Sequence, residues 1–416
     1  MFDPEACGAR CDVCFLRDRR SGDPVPMEWH DSPASVITGA PREQDVQQGR
    51  PLVGRAGQEM EQALQMAGVQ RKHLNYHFVV ACRPPNNDLK KLITQWRAEN
   101  RRREKRGEAP RPSPMACCAP RLARELTAVT KVIVFGATAQ QALVPDYIDD
   151  HTARRKSVWK DANGALLYET CSDGMTRRIV ATPPPSYVLR KPRWRPMFRR
   201  AVARAARWFA GQLQWIKPEI VHNPTADEYV AFVRSLEAAD FAAYDTETDH
   251  LEPMIANLRT IQVGTSNKVL VPQILGTDGV TRYYSDADLT RIMEATEWAL
   301  CQSTIRWVGH NASMYDLQVM ERAFYVYLGR PSVPKLAADT MHTHRYVDPE
   351  LPHTLGHVSA FFTDTPAWKG DYATKDDHEL REYGGLDTAN NARIVPPLIA
   401  AMRYHQERVK AQTIET

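Results

Sequence analysis

Four short apolar segments in the first half of the chain each run into a turn rich in glycine or proline. They begin at Ala34, Tyr76, Lys131 and Arg178, and helical patterns separate them. Apolar runs of this length bounded by turn residues are typical of buried strands. Strands that alternate with helices form a parallel sheet with helices on both faces. The first half is therefore predicted to be an α/β/α domain with a parallel sheet.

In the second half the strand-like segments follow one another more closely. Phe241–Tyr244, Leu258–Gly264 and Lys268–Pro272 are apolar runs, and a short turn separates the last two. Successive strands joined in this way predict an antiparallel or mixed sheet. Helical patterns follow around Asp316 and Asp387. We therefore expect a second α/β domain, this one with a mixed sheet.

The length of 416 residues also favours two or three domains. Residues 212–225 include Lys217-Pro218 and Asn223-Pro224, which is typical of a boundary. The sequence thus predicts a first domain over 1–211, a linker over 212–225 and a second domain over 226–416.

The net charge of +4 hides an asymmetry between the halves. Residues 1–215 hold 36 Lys and Arg against 22 Asp and Glu, whereas the remainder holds 18 against 28. A basic half joined to an acidic half is expected where one part binds a polyanion and the other uses carboxylates for chemistry. The alternative is surface charge without functional meaning.

No segment approaches the 18 apolar residues of a membrane span, so no membrane partner is expected. Residues 1–9 lack the basic and then apolar layout of a signal peptide. We expect a cytoplasmic protein. In that compartment the eight cysteines, six of them before residue 120, are expected to be thiols or metal ligands rather than disulfides.

The pair Asp245 and Glu247 follows the strand Phe241–Tyr244. Carboxylates at i and i+2 on a strand point to the same side of the sheet and repel each other unless a cation lies between them. Carboxylate oxygens suit Mg²⁺ or Mn²⁺. The alternative for an isolated pair of this kind is a strand that ends in a polar turn.

Five motifs in residues 5–210 together resemble a family 4 uracil-DNA glycosylase. In chain order they are C-x-x-C, A-P-x-x-x-D-x-x-x-G-R-P-L-V-G-R-A-G, V-V-x-C-R-P-P-N-N, C-x-P-x-L and P-S-Y-V-L-R. The resemblance implies a 4Fe–4S cluster held by four cysteines, which match Cys11, Cys14, Cys82 and Cys118. A four-cysteine zinc site would use the same ligands. We prefer Cys118 to its neighbour Cys117 because it stands at the motif's distance from Pro120.

Several positions depart from that family's pattern. Gly39 stands where an acidic residue is expected, Leu52 where an aromatic residue stacks on uracil, Phe78 where an asparagine reads the base, and Pro184 where a histidine is expected. Asp45 retains a carboxylate by spacing. Extracting and excising a base needs a shaped pocket, stacking and hydrogen bonds to the base edge. We therefore predict a glycosylase-like domain that does not excise uracil.

A basic run near the end of this domain predicts contacts with DNA phosphates. Its candidate residues are Arg190, Lys191, Arg193 and Arg195. The alternative for the following segment is an amphipathic helix in which Phe198, Val202 and Trp208 face the core.

Residues 226–410 resemble the 3′–5′ proofreading exonuclease domain of family A DNA polymerases. The motifs are D-x-E, N-x-x-x-Y-D and Y-x-x-x-D, and they supply Asp245, Glu247, Asp316, Tyr383 and Asp387. The resemblance implies an RNase H-like fold in which the four carboxylates hold two Mg²⁺ or Mn²⁺ ions and Tyr383 orients the attacking water. It also implies DNA contacts by Asn311 and by Leu251 as a wedge between bases, although a buried core leucine is the alternative.

The expected partners are a single-stranded or frayed DNA 3′ end and a polymerase, in the same chain or another. Glycosylase-like modules ahead of such polymerases resemble bacteriophage replication proteins, which would place the protein in a host cytoplasm. Two alternatives stay open: an active uracil-DNA glycosylase coupled to a nuclease, and a non-catalytic front domain that docks a polymerase.

Overall fold

The computed structural model describes residues 2–144, 148–149, 154–155, 166–213, 215–366, 368 and 376–414. The chain divides into two compact units, Met1–Leu213 and Gln214–Thr416. Each unit has its own sheet and its own hydrophobic core.

The first unit is built on a five-stranded sheet, with a separate short hairpin. Its strands are β1 (Ala34–Thr38), β2 (Asn75–Phe78), β3 (Lys131–Phe135), the hairpin β4 (Ile148–Asp149) and β5 (Arg154–Arg155), β6 (Leu166–Thr170) and β7 (Thr176–Thr182). The sheet order is β2-β1-β3-β7-β6. The first four of these strands are parallel, and β6 joins the edge antiparallel to β7.

Helices connect the parallel strands of the first unit. They are α1 (Glu43–Gln48), α2 (Arg55–Met66), α3 (Leu89–Lys105), α4 (Pro114–Glu125), α5 (Ala137–Leu143), α6 (Pro185–Arg190) and α7 (Arg195–Phe209). The β-branched run of β3 shows why a strand forms, since Val132, Ile133 and Val134 are all buried between the helical layers.

The second unit is built on a mixed six-stranded sheet. Its strands are β8 (Glu219–His222), β9 (Ala242–Thr248), β10 (Leu258–Gly264), β11 (Lys268–Val271), β12 (Trp307–Gly309) and β13 (Ala338–Asp339). The order is β13-β12-β9-β10-β11-β8, so β9 is an inner strand. It pairs antiparallel with β10 and parallel with β12.

One long helix crosses the sheet of the second unit. The helices are α8 (Ala226–Ser235), α9 (Asp286–Glu297), α10 (Asp316–Leu328), α11 (Thr340–Val347), α12 (Leu355–Phe362) and α13 (Asp377–Ile414). On α13, Ala392 and Val395 pack against Ala243 of β9 and Val308 of β12. This packing carries the start of α13 over the centre of the sheet.

The predicted fold class is confirmed: both halves are α/β, the first with a mainly parallel sheet and the second with a mixed one. The linker expected over 212–225 needs correction, because Glu219–His222 form the edge strand β8 and pair in parallel with β11. No helix among the described residues combines the length and the apolar character needed to span a bilayer.

Candidate active site

The central strand β9 presents two carboxylates on one face of the second sheet. Asp245 and Glu247 are two residues apart, so their side chains share a face while Tyr244 and Thr246 point to the other. Tyr244 is fully buried in the core on that other face. Asp387 on α13 completes the group, and one oxygen from each of the three carboxylates lies within 4.8 Å of the others.

Tyr383 lies one helical turn before Asp387 and contacts the same group. Its phenol donates a hydrogen bond to the Asp387 carboxylate. Burial, and then the charges of Asp387, Glu247 and Asp245, raise the pKa of Tyr383 far above its usual range. A phenol in this setting stays protonated and acts as a hydrogen-bond donor.

The chemistry of the three carboxylates fits a divalent metal ion. Hard oxygen donors are the usual ligands of Mg²⁺ and Mn²⁺. Glu247 and Asp387 are both buried, and carboxylates gathered in a buried site repel one another unless a cation compensates them. The indole N–H of Trp368 donates to Oδ1 of Asp387 and restrains its orientation.

Asp316 is held beside this group and is not part of it. As the first residue of α10 it is buried, and its Oδ1 accepts hydrogen bonds from the backbone N–H of Thr246 at 2.9 Å and from the Thr246 hydroxyl at 2.5 Å. Burial raises the pKa of Asp316, against the lowering effect of these hydrogen bonds. The structure therefore places Asp316 behind the strand that carries Asp245 and Glu247.

Asp339 shapes the loop that leads into Asp316, a role that the sequence reasoning missed. Its carboxylate accepts hydrogen bonds from the backbone N–H groups of Asn311 and Ser313, and also from Met341 and His342 at the start of α11. The sequence signal was the acidic residue directly before the helix that begins at Thr340, since aspartate is a favoured N-cap.

The two predicted DNA contacts of this unit differ in their surroundings. Leu251 is 80% exposed in the loop after β9, which excludes a buried core leucine. Asn311 has a left-handed backbone with φ of 64°, and its N–H donates to Asp339. Asparagine tolerates that conformation better than most residues, so Asn311 has a structural reason to be there.

Five cysteines surround a cavity of about 200 Å³ in the first unit. They are Cys11, Cys14, Cys82, Cys117 and Cys118. Burial raises the pKa of Cys82 to about 12, and a hydrogen bond from Cys117 lowers that of Cys14 to about 6. Cys7 does not line the cavity.

The spacing of the thiols bears on which group they could hold. A tetrahedral zinc site with bonds near 2.3 Å needs sulfur atoms about 3.8 Å apart. Among the described residues, no three cysteines bring their sulfur atoms within 4.8 Å of one another. An all-cysteine cavity that is wider than a single ion requires fits an iron–sulfur cluster.

A cleft of about 540 Å³ opens at the carboxyl ends of β1, β3 and β7. Gly39, Leu52 and Pro184 line it, whereas Phe78 is buried and does not. Asp45 also lines the cleft, but its oxygens accept hydrogen bonds from the backbone N–H groups of Arg42 at 2.8 Å and Val53 at 3.0 Å.

The basic run separates into residues that face solvent and one that is paired. Arg190, Lys191 and Arg193 are exposed, and Arg190 lines the cleft. Arg195, however, donates to the buried carboxylate of Glu59 at 3.0 Å, which corrects its assignment as an open DNA contact.

The helix α7 that follows this run has the alternative, amphipathic character. Phe198, Val202 and Trp208 are buried, and so is Arg204.

Comparison with known families agrees with this division of the chain. Residues 30–210 match the family described as the uracil DNA glycosylase superfamily, and residues 220–383 match the family described as 3′–5′ exonuclease.

The first half also resembles individual glycosylases. It is 30% identical over 196 residues to the type-4 uracil-DNA glycosylase of Pyrobaculum aerophilum, covering 46% of this chain and 86% of that protein. It is 35% identical over 78 residues to the type-4 uracil-DNA glycosylase of Thermotoga maritima, covering 19% of this chain and 41% of that protein.

Among solved structures, similar chains include two nucleases. Brucella melitensis NrnC with bound Mg²⁺ shares 19% identity at a TM-score of 0.33, over 48% of this chain and 88% of that one. Escherichia coli RNase D, an exoribonuclease involved in structured RNA processing, shares 16% identity at a TM-score of 0.32, over 45% and 46% of the two chains.

Proposed function

Because this chain belongs to the type-4 uracil-DNA glycosylase family through its first half and continues into a 3′–5′ exonuclease domain, we propose that it is a metal-dependent nuclease that removes nucleotides from DNA 3′ ends. The observation that carries the proposal is the convergence of Asp245, Glu247 and Asp387 within 4.8 Å. Two residues stand beside that group, Tyr383 and Asp316.

Each side chain has a role in this proposal. Asp245, Glu247 and Asp387 hold one ion, and Asp245 with Asp316 supports a second. When bound, the ions supply an activated water and stabilise the leaving 3′ oxygen. Tyr383 orients the attacking water by a hydrogen bond, since its raised pKa keeps the phenol protonated. Leu251, exposed next to β9, separates the terminal bases.

The substrate we propose is a single-stranded or frayed DNA end. The family to which the first half belongs is named for its action on DNA, and the first half is the basic part of the chain. Exposed Arg190, Lys191 and Arg193 are the proposed phosphate contacts.

For the first unit we propose a 4Fe–4S cluster on Cys11, Cys14, Cys82 and Cys118, and no uracil excision. The width of the cysteine cavity supports the cluster. Leu52 and Pro184 in the cleft support the loss of excision, because their side chains offer neither an aromatic face nor a hydrogen bond for a uracil.

We further propose that the nuclease serves as a proofreader for a family A polymerase of bacteriophage type, either joined to this chain or separate, in the cytoplasm of the host. The support is the resemblance of the phrases around Asp245, Asp339 and Asp387 to those of proofreading domains. If the first unit instead docks the polymerase without binding DNA, it will bind that protein and not oligonucleotides.

Polarity and strand preference test the proposed reaction. The full chain with Mg²⁺ is incubated with matched single-stranded and blunt duplex oligonucleotides that carry the label at either end. The proposal expects a ladder from the 5′-labelled strand, immediate release of mononucleotide from the 3′-labelled strand, and faster digestion of the single strand. A ladder that starts from the 5′ end would contradict it, and abasic product from a uracil-containing strand would contradict the loss of excision.

A further inference from the structure

The cleft of the first unit has more positive than negative charge. Its lining includes the basic side chains of Arg42, Lys90 and Arg190 and one acidic side chain, Asp45. The oxygens of Asp45 are already bonded to two backbone N–H groups, and burial raises its pKa. Asp45 therefore does little to neutralise the cations around it.

The two arginines face each other across this cleft. The walls of the cleft, and then the charge of Arg190, lower the pKa of Arg42. Within the part of the chain that the structure describes, neither guanidinium forms an ion pair with a carboxylate. Two like charges held together in this way favour the binding of an anion between them. Arginine matches the geometry of a phosphate through two parallel hydrogen bonds.

Beside the arginines the cleft offers an apolar wall. Leu52, Phe135, Pro184 and Tyr187 line it, and its volume of about 540 Å³ lies in the usual range of roughly 300–1,000 Å³ for ligand sites. The side chains of Leu52 and Pro184 cannot hydrogen-bond to a base edge. A base on this wall would be held by contact and stacking, which tolerate any sequence.

We propose that the cleft is a nucleotide subsite in which Arg42 and Arg190 hold a phosphate of single-stranded DNA while the apolar wall receives the adjoining sugar and base without sequence preference. This rests on the proposed function, in which the first unit binds DNA and does not excise from it. A free nucleoside monophosphate, such as the nuclease would release, presents the same chemistry.

Binding by the full chain tests the subsite. Anisotropy of a 5′-labelled (dT)₁₂ is measured in EDTA, which prevents digestion, at several salt concentrations. The variants are Arg42→Ala, Arg190→Ala and the double variant, with Arg101→Ala on α3 as the control. Arg101 is an exposed arginine of the same unit outside the cleft, so its removal matches the change in charge.

Each cleft variant is expected to weaken binding about tenfold, because a hydrogen bond to a charged group contributes roughly 1.5–3 kcal/mol. The double variant should flatten the plot of log affinity against log salt by about 0.7 for each phosphate that the protein no longer neutralises. Arg42→Lys and Arg190→Lys should keep part of the affinity, and Arg101→Ala all of it. Unchanged thermal unfolding and visible absorption would show that the variants fold.

Competition separates the two sources of phosphate. Unlabelled (dT)₁₂ is expected to displace the probe at far lower concentration than thymidine 5′-monophosphate, and equal competition would overturn the assignment to a DNA strand. Wild-type affinity and salt dependence in the double variant would overturn the subsite itself.

Digestion of a short (dT)₃ by the same proteins keeps the two proposals apart. If the wild type digests it while the double variant binds (dT)₁₂ normally, the subsite fails and the nuclease stands. If the wild type digests nothing but the double variant loses binding, the nuclease fails and the subsite stands.

Discussion

The carboxylate of Asp316 accepts two hydrogen bonds from Thr246, one from its backbone N–H at 2.9 Å and one from its hydroxyl at 2.5 Å. Thr246 stands between Asp245 and Glu247 on β9, but its side chain points to the opposite face. The strand that carries two of the carboxylates therefore also fixes the orientation of a third, which comes from the start of α10.

Replacing Thr246 by valine should lower nuclease activity without unfolding the protein. Valine keeps the shape of threonine but removes the hydroxyl donor, so Asp316 retains only the backbone bond. Loss of a group that orients a metal ligand typically costs about 10–100-fold in metal affinity or activity. Mg²⁺ titrations of the digestion rate measure this. Thr265→Val, at the end of β10, is the control, and an equal loss there would contradict the assigned role.

Replacing Tyr383 by phenylalanine should lower the maximal rate by about 10–100-fold, because a hydrogen bond to a charged or reacting group contributes roughly 1.5–3 kcal/mol. The Mg²⁺ dependence should change little, since the three carboxylates remain. Burial is the largest cause of the raised pKa of Tyr383, so deprotonation of this phenol should not limit the wild-type rate below pH 10. A wild-type rate that falls between pH 8 and 10, with no such fall in the variant, would show that the phenol ionises there.

The nuclease site was largely readable from local sequence. Carboxylates at i and i+2 on a strand must share a face, and Tyr383 and Asp387 at i and i+4 on a helix must be neighbours. The position of Asp316 behind β9 was not readable, because it depends on Thr246, 70 residues away in sequence.

Two other misreadings also come from distant partners. Glu219–His222 lies between two proline-containing turns and resembles a linker until its backbone pairs with β11. Arg195 belongs to an arginine-rich run, and only the fold brings the buried Glu59 to it. In each case the local pattern was right about polarity, and the distant partner decided the role.

Adjacent cysteines should differ in their effect on the cluster. Cys118→Ser is expected to abolish the visible absorption and the bound iron of the purified protein, because one of four sulfur ligands is removed. Cys117→Ser should keep both, and Cys7→Ser, outside the cavity, should match the wild type. Metal analysis and absorption spectra measure this. The opposite result for Cys117 and Cys118 would exchange their roles, and zinc without iron in the wild type would contradict the cluster.

Acid should destabilise the second unit through a cluster of three histidines. Nδ1 of His344 lies 2.8 Å from Nδ1 of His353, and the ring of His357 is nearby with a centroid distance of 6.5 Å. Burial, and then the charge of His353, lower the pKa of His344 to about 4. The unfolded chain takes up this proton near pH 6.5, so the stabilisation is complete above pH 6.5 and is lost as the pH falls towards 4.

The variant His344→Leu removes that proton uptake. Between pH 7 and 5.5 it should therefore lose about 1 kcal/mol less stability than the wild type. Thermal unfolding of the full chain at both pH values measures the difference. His342→Leu, an exposed histidine on the same helix, serves as the control. An identical loss in the wild type and His344→Leu would refute the assignment.

The central claim is that the carboxylates gathered at β9 and α13 form the nuclease centre of this chain. The most direct measurement is digestion of a 5′-labelled single strand by the wild type and by Asp387→Asn, with and without Mg²⁺. Asparagine keeps the size of aspartate and removes the charge that holds the ion. We expect a ladder from the 3′ end only for the wild type with Mg²⁺, with activity at least 1,000-fold lower in the variant, about the 4 kcal/mol by which one charged contact can stabilise a transition state. An Asp387→Asn protein that digests the strand at the wild-type rate would contradict the account.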